Sequence, residues 1–104
     1  MHKRNRVISV LLIGVMLLAV GLVAGAGEKV GIVTSIGGLG DLSFNDFTYA
    51  GARWAADAMG VEIDVVEPMT IGDFEGLLRD FAIAGEYKII VAVGFLQADA
   101  LAVV

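Results

Sequence analysis

Three short apolar runs alternate with segments of helical spacing, and this alternation limits the chain to few architectures. Residues 30–34 (VGIVT), 61–67 (VEIDVVE) and 87–93 (YKIIVAV) are rich in β-branched side chains. The first and third read as near-continuous apolar runs, the pattern of strands buried on both faces of a parallel sheet. Glu62 and Asp64 leave the second partly solvated on one side. Between the runs, Phe44, Phe47, Gly51, Trp54, Ala55 and Ala58 recur at helical spacing, as do Phe74, Leu77, Leu78, Phe81 and Ala84. Gly60 and Gly85 follow these segments, where a left-handed residue ends a helix. The expected order is βαβαβα, with the last helix starting near Gln97. Helices of this length between strands imply right-handed crossovers. The fold class is therefore α/β: a parallel sheet in strand order 2-1-3, with helices on both faces. Trp54 is expected in the core, and the third strand is expected to be the most buried.

Ser43 is expected to open the first helix, bonding the N–H of Asp46 while Asp46 reaches back; Thr70 and Asp73 repeat that capping box. In parallel α/β sheets ligands bind beyond the carboxyl ends of the strands. Three loops lie there: residues 35–42, 68–70 and 94–96. The first is glycine-rich, with Gly37, Gly38 and Gly40, and lets a backbone approach a ligand closely. Phe44, in the first turn of the helix, either stacks on a flat ligand or packs beneath the loop. Asp41 and Asp46 flank the helix start, either as acceptors for ligand hydroxyls or as capping groups. Gly38-x-Gly40-x-x-Ser43 is a near miss to a dinucleotide fingerprint, with Glu67 placed as a ribose-binding acid. The loop is too long for that motif, and Asp41 would repel a pyrophosphate. Asp73, Glu75 and Asp80 belong to the solvated side of the second helix. No carboxylate pair stands out as general acid and base, and no nucleophile elbow or phosphate loop is present.

The N-terminus reads as a targeting segment rather than as part of the fold. Lys3, Arg4 and Arg6 precede an uncharged stretch over residues 7–26 that ends in Ala24-Gly25-Ala26. This is a secretory signal with an A-x-A cleavage pattern, or an uncleaved membrane anchor of about 20 residues. Both deliver the remainder outside the cytoplasm, periplasmic or at the cell surface. There is no cysteine, so there is no lipobox and no disulfide or thiolate metal site. The only histidine is His2, which leaves none in residues 27–104 for catalysis or metal binding. Those residues carry four basic against twelve acidic side chains, a net charge of −8. Without a basic patch, nucleic acid is not an expected partner. The last residues, 98–104, read as a helix only just begun. The exported part, residues 27–104, is therefore expected to be a fragment of a larger protein.

Residues 29–104 resemble the basic membrane protein family of ABC-transporter substrate-binding proteins, whose best-known members are purine nucleoside receptors. The resemblance lies in Val33-Thr34 before the glycine loop, in Gly40-Asp41-Leu42-Ser43-Phe44-Asn45-Asp46, and in residues 49–54. It continues in YKIIVAV and in Val93-Gly94-Phe95-Leu96-Gln97-Ala98-Asp99-Ala100. It implies a type I periplasmic-binding-protein fold, two α/β lobes around a ligand cleft, with residues 27–104 as the N-terminal part of the substrate-binding lobe. It implies that Phe44 stacks on a base, and that Ser35 stands where nucleoside receptors place an aspartate. It also implies that Asp41 and Asn45 shape the loop, and that Gly94 and Phe95 border the cleft. The implied function is an extracytoplasmic solute-binding component of an ABC importer. Such a protein is a monomeric receptor for a nucleoside-like small molecule, working with an ABC permease in the membrane. No enzyme activity, cofactor or metal is implied. An exported Rossmann-like enzyme and a membrane-tethered sensor ectodomain are the alternative readings.

Overall fold

The computed structural model describes residues 27–104. The expected leader, residues 1–26, lies outside them. Three strands form one parallel sheet: β1 (Lys29–Val33), β2 (Glu62–Val66) and β3 (Tyr87–Ala92), in the order β2-β1-β3. Helix α1 (Phe44–Met59) joins β1 to β2, and α2 (Phe74–Ala84) joins β2 to β3. A 3-10 turn, Ile71–Asp73, leads into α2; another, Phe95–Gln97, leads into the short α3 (Ala98–Val103). The βαβαβα order and the 2-1-3 sheet are those that the apolar runs predict.

Register decides which side chains meet which helix. Lys29 to Val33 pair with Glu62 to Val66 on one side. On the other, Val30 to Val33 pair with residues from Ile89 to Ala92, after an irregularity next to Lys29. One face of the sheet therefore presents Val33, Val66, Ile90 and Ala92 to α2. There Val33, Phe74, Leu78 and Phe81 form the buried core. Gly31 lies on the same face, and a Cβ at that position would sit 2.9 Å from the Phe81 ring. Its missing side chain is what lets the ring lie against the strand.

The helix ends follow local chemistry. Gly60 and Gly85 adopt φ values of 72° and 67° and close α1 and α2, as their sequence positions predict. The box at Thr70 and Asp73 also forms, with the Asp73 carboxylate accepting from the backbone of Thr70 and Met69 at 2.8 and 2.9 Å.

Two expectations of burial fail. Trp54 is 72% exposed, on the outer side of α1 rather than in the core. The helix meets the sheet through Thr48, Ala52 and Ala55, roughly a hundred degrees around its axis. The third strand is not the most buried; β1 is, because it lies between the other two. β3 has a neighbour on one side only among the described residues, and Ile89 is 58% exposed.

Candidate functional site

The carboxyl ends of the three strands carry the loops that sequence patterning marks, and the first of them is tightly built. Asp41 organises it. Its carboxylate accepts from the backbone N–H of Ser43 (2.9 Å), Asn45 (3.1 Å) and Asp46 (3.1 Å). These are the donors that a helix start leaves free. Asp41 is thus the cap, two residues ahead of the one expected: the Ser43 side chain makes no capping bond. A carboxylate has two charged oxygens and reaches three donors, whereas a hydroxyl satisfies one. Partial burial pushes the Asp41 carboxyl up, but the hydrogen bonds from Ser43, Asp46 and Asn45 outweigh it and hold the group below the ordinary carboxylate value.

Asp46 closes the loop from the other side. It accepts from Gly40 at 2.7 Å and from Leu42 at 2.8 Å. Leu42 has a φ of 52°, in the left-handed region that strains a side-chain-bearing residue by about 1 kcal/mol or more. The two aspartates hold the chain in that conformation, which leaves the Leu42 side chain in solvent. Both carboxylates are therefore engaged by backbone: Asp41 caps the helix, whereas Asp46 braces the loop at Gly40 and Leu42 instead of reaching back to Ser43 N, which bonds Asp41.

Asn45 lies beneath the loop, almost wholly buried. Its Oδ1 accepts from Ser35 N at 2.8 Å, and its Nδ2 donates to Ser35 O at 3.3 Å and Gly38 O at 3.0 Å. A side-chain amide that matches a backbone amide in both directions fixes the peptide it grips. Ser35 is thereby fixed at the end of β1. It is also close to Gly94, since a Cβ at Gly94 would lie 3.2 Å from the Ser35 hydroxyl oxygen. With a φ of 88°, Gly94 is both left-handed and crowded, so only glycine fits there. Ser35, Asn45 and Gly94 are thus brought together.

Phe44 and Phe95 are the opposite case. They are 76% and 88% exposed, so Phe44 does not pack beneath its loop. Each projects from an element whose neighbour in sequence is anchored. Exposure alone does not single them out, since Leu42, Phe47, Trp54 and Met69 are comparably open; what does is an aromatic ring placed beyond the carboxyl ends of the strands. Sequence patterning missed three further contributors. Glu67, weighed as a ribose-binding acid, instead spans from the end of β2 to the glycine loop and accepts from Leu39 N at 2.6 Å. Leu42 gives no warning, because left-handed residues other than glycine have no sequence signature. Gln97 is buried although its position near a helix start suggests solvent. Among the described residues no group of three potential metal ligands converges, and no helix is long and apolar enough to cross a membrane.

A groove of about 740 Å³ lies elsewhere, between α1 and the sheet, lined by Val30, Ile32, Ile63, Ile89 and Val91 opposite Ala52 and Ala55. Its lining is mostly apolar, and its charged members, Glu28 and Lys88, pair with each other at 3.8 Å, so it has the character of incomplete packing rather than of a small-molecule site.

No protein-family model matches the chain. It is similar to uncharacterized lipoproteins of hyperthermophilic archaea. One from Pyrococcus abyssi is 36% identical over 97% of this chain and 27% of the relative. One from Pyrococcus furiosus is 38% identical over 92% of this chain and 25% of the relative. The chain spans about a quarter of the length of these relatives. Among solved structures, an ABC-transporter solute-binding protein from Aeropyrum pernix K1 matches 71% of this chain and 20% of its own, with a TM-score of 0.67 and 39% identity. A putative lipoprotein fragment from Peptoclostridium difficile 630 matches 73% of this chain and 62% of its own, with a TM-score of 0.63. At 21% identity it supports the fold alone. The α/β fold seen here is that of a periplasmic-binding-protein-like lobe, and the chain is similar to solute-binding proteins of ABC transporters.

Proposed function

We propose that residues 27–104 form the N-terminal part of the first lobe of an extracytoplasmic solute-binding protein that serves an ABC importer. The reading follows the resemblance to the basic membrane protein family. One observation carries it: two exposed phenylalanines, Phe44 and Phe95, open the helical elements that follow hydrogen-bonded loops at the carboxyl ends of parallel strands. Ligands of such sheets bind at that edge. The protein performs no chemistry. It closes on a nucleoside-like solute and hands it to a permease. Phe44 stacks on the flat part of the solute, Ser35 offers a hydroxyl, and Gly94 and Phe95 form the adjoining lip. Asp41 and Asn45 serve the site by holding the loop.

Residues 1–26 act as the export signal or as an uncleaved anchor. The Pyrococcus relatives are named lipoproteins. This sequence has no cysteine to carry a lipid, so the apolar stretch itself, or the permease, keeps the receptor at the membrane. The test is thermal unfolding of a form extended to the length of the Pyrococcus relatives, with a panel of purine and pyrimidine nucleosides. A rise in melting temperature with one class supports the assignment; no rise with any nucleoside removes the ligand class. N-terminal sequencing of the exported protein separates cleavage, which gives a start at Gly27, from retention.

A further inference from the structure

We infer that Gln97 is a positioning residue for this site, a second buried amide that ties the Phe95 lip to the end of β1. The inference rests on the solute-binding reading above for its purpose, though not for its geometry. Gln97 is about 1% exposed. Its Nε2 donates to Val93 O at 2.8 Å, Val33 O at 3.0 Å and Thr34 O at 3.2 Å. The acceptors come from the carboxyl ends of two strands, β1 and β3. They immediately precede Ser35 on one strand and Gly94-Phe95 on the other. Two protons are shared among three carbonyls, a three-centre arrangement that fixes position more than it adds energy.

The other half of the side chain argues the same way. Gln97 Oε1 is buried and accepts from no protein donor among the described residues. A buried acceptor without a protein donor offsets what the donor half gains. Flipping the amide would not help, because all three neighbours are themselves carbonyl oxygens. An apolar side chain of the same shape would avoid that cost but would leave the buried Val93 and Thr34 carbonyls without this donor, so stability alone does not single out a glutamine here. The geometry does. Val93 N already donates to Val33 O at 3.0 Å, and the amide extends that joint by one residue to Thr34 O. Asn45 then takes over at Ser35 and Gly38. Two buried amides, one at the start of α1 and one before α3, thus grip consecutive carbonyls of a single stretch of chain. Each has an exposed phenylalanine next to it: Phe44 beside Asn45, and Phe95 two residues before Gln97. The pair fixes the placement of the two rings relative to each other, which a binding site needs before a ligand arrives.

The experiment compares wild type with Gln97→Met in the full chain by hydrogen exchange resolved to single amides. Loss of the strap should accelerate exchange at Val93, Ser35 and Gly38 by about tenfold or more, while Ile32 and Ile90 in the sheet change by less than about threefold. A uniform change across all amides, or none, overturns the inference. Should Gln97→Met fail to fold, the wild-type side chain decides. A strapped amide shows two separate, slowly exchanging Nε2 proton signals, and averaged, fast-exchanging signals overturn the inference. Inosine titration of the extended form adds the functional arm. Gln97→Met should weaken binding about tenfold; equal affinity with a lowered melting temperature makes Gln97 structural only. If wild type binds no inosine, the ligand reading fails while the exchange data still judge the strap.

Discussion

The two faces of the sheet are packed to different standards. On one, α2 presents Phe74, Leu78 and Phe81, and these close against Val33, Val66, Ile90 and Ala92. On the other, α1 presents Thr48, Ala52 and Ala55, and a groove of about 740 Å³ remains between helix and strands. The strands contribute β-branched side chains to both faces, so the difference lies in the helices. Aromatic and leucine side chains reach across the usual helix–sheet spacing, whereas alanine and threonine do not. The large apolar residues of α1 are displaced around its axis. Phe44, Phe47 and Trp54 are all left open to solvent. A helix can therefore be amphipathic in sequence and still turn its largest apolar groups away from the sheet it crosses.

The sharpest way to break this comparison is to delete one aromatic ring from each face. Phe74→Ala should cost about 3–5 kcal/mol, enough to unfold a domain of this size. Phe47→Ala should stay within about 0.5 kcal/mol. Urea unfolding followed by circular dichroism measures both. Equal losses would mean that α1 packs as tightly as α2. Gly31→Ala comes next in size. Its Cβ would meet the Phe81 ring at 2.9 Å, and overpacking of that kind costs about 1–3 kcal/mol. The ring lies between the strand and Tyr87, whose centroid is 4.5 Å away, so it has little room to withdraw.

The same contrast explains what could be read from the sequence. The elements and their order were legible because strand runs, helical spacing and the terminal Gly60 and Gly85 all agree. The α2 core was legible because Phe74, Leu78 and Phe81 are both periodic and buried. Trp54 was not, because periodicity marks an apolar stripe without saying which tertiary neighbour it meets. In the site, the glycine loop and Phe44 stood out by composition. Asp41 as cap did not, since a carboxylate that reaches forward from the loop is indistinguishable in sequence from one that binds a ligand. Gln97 could not be found at all: its burial depends on two strand ends meeting above it.

Charge interactions supply the intermediate tests. Asp41 and Asp73 are both held below the ordinary carboxylate value. For Asp41, hydrogen bonds from three backbone amides outweigh the upward push of burial; for Asp73, bonds from Thr70 and Met69 dominate. A depressed carboxylate stabilises the fold fully above its unfolded value, near 3.8, and loses that contribution as pH falls through the lower folded value. Asp41→Asn should lower the melting temperature near neutral pH and flatten its acid limb. Tyr87 reports from the opposite end of the strands. Its hydroxyl donates to Asp64 at 2.7 Å; this bond, then burial, then the charges of Asp64 and Glu86 push its pKa from 10.0 up to about 12. Its contribution is complete below 10 and disappears as pH rises through about 12. Ultraviolet titration should show one late tyrosine, and Tyr87→Phe should remove it.

The smallest expected effect tests the open face most directly. Trp54 is the only tryptophan, so the intrinsic indole fluorescence reports on the outer side of α1 alone. With the ring 72% exposed, native emission should lie close to that of the unfolded chain, and an added quencher should reach it freely. Trp54→Ser should leave stability within about 0.5 kcal/mol, because a solvated ring gives up almost no buried area on removal. The result that breaks the comparison is a blue-shifted, quencher-protected tryptophan whose loss lowers the melting temperature. The outer side of α1 would then be covered in the native protein, and its aromatic stripe would belong to an interface. An emission maximum that differs little on unfolding would leave the α2 face as the one that holds the fold, and the loops above the strands as the place where exposed aromatic rings have a use.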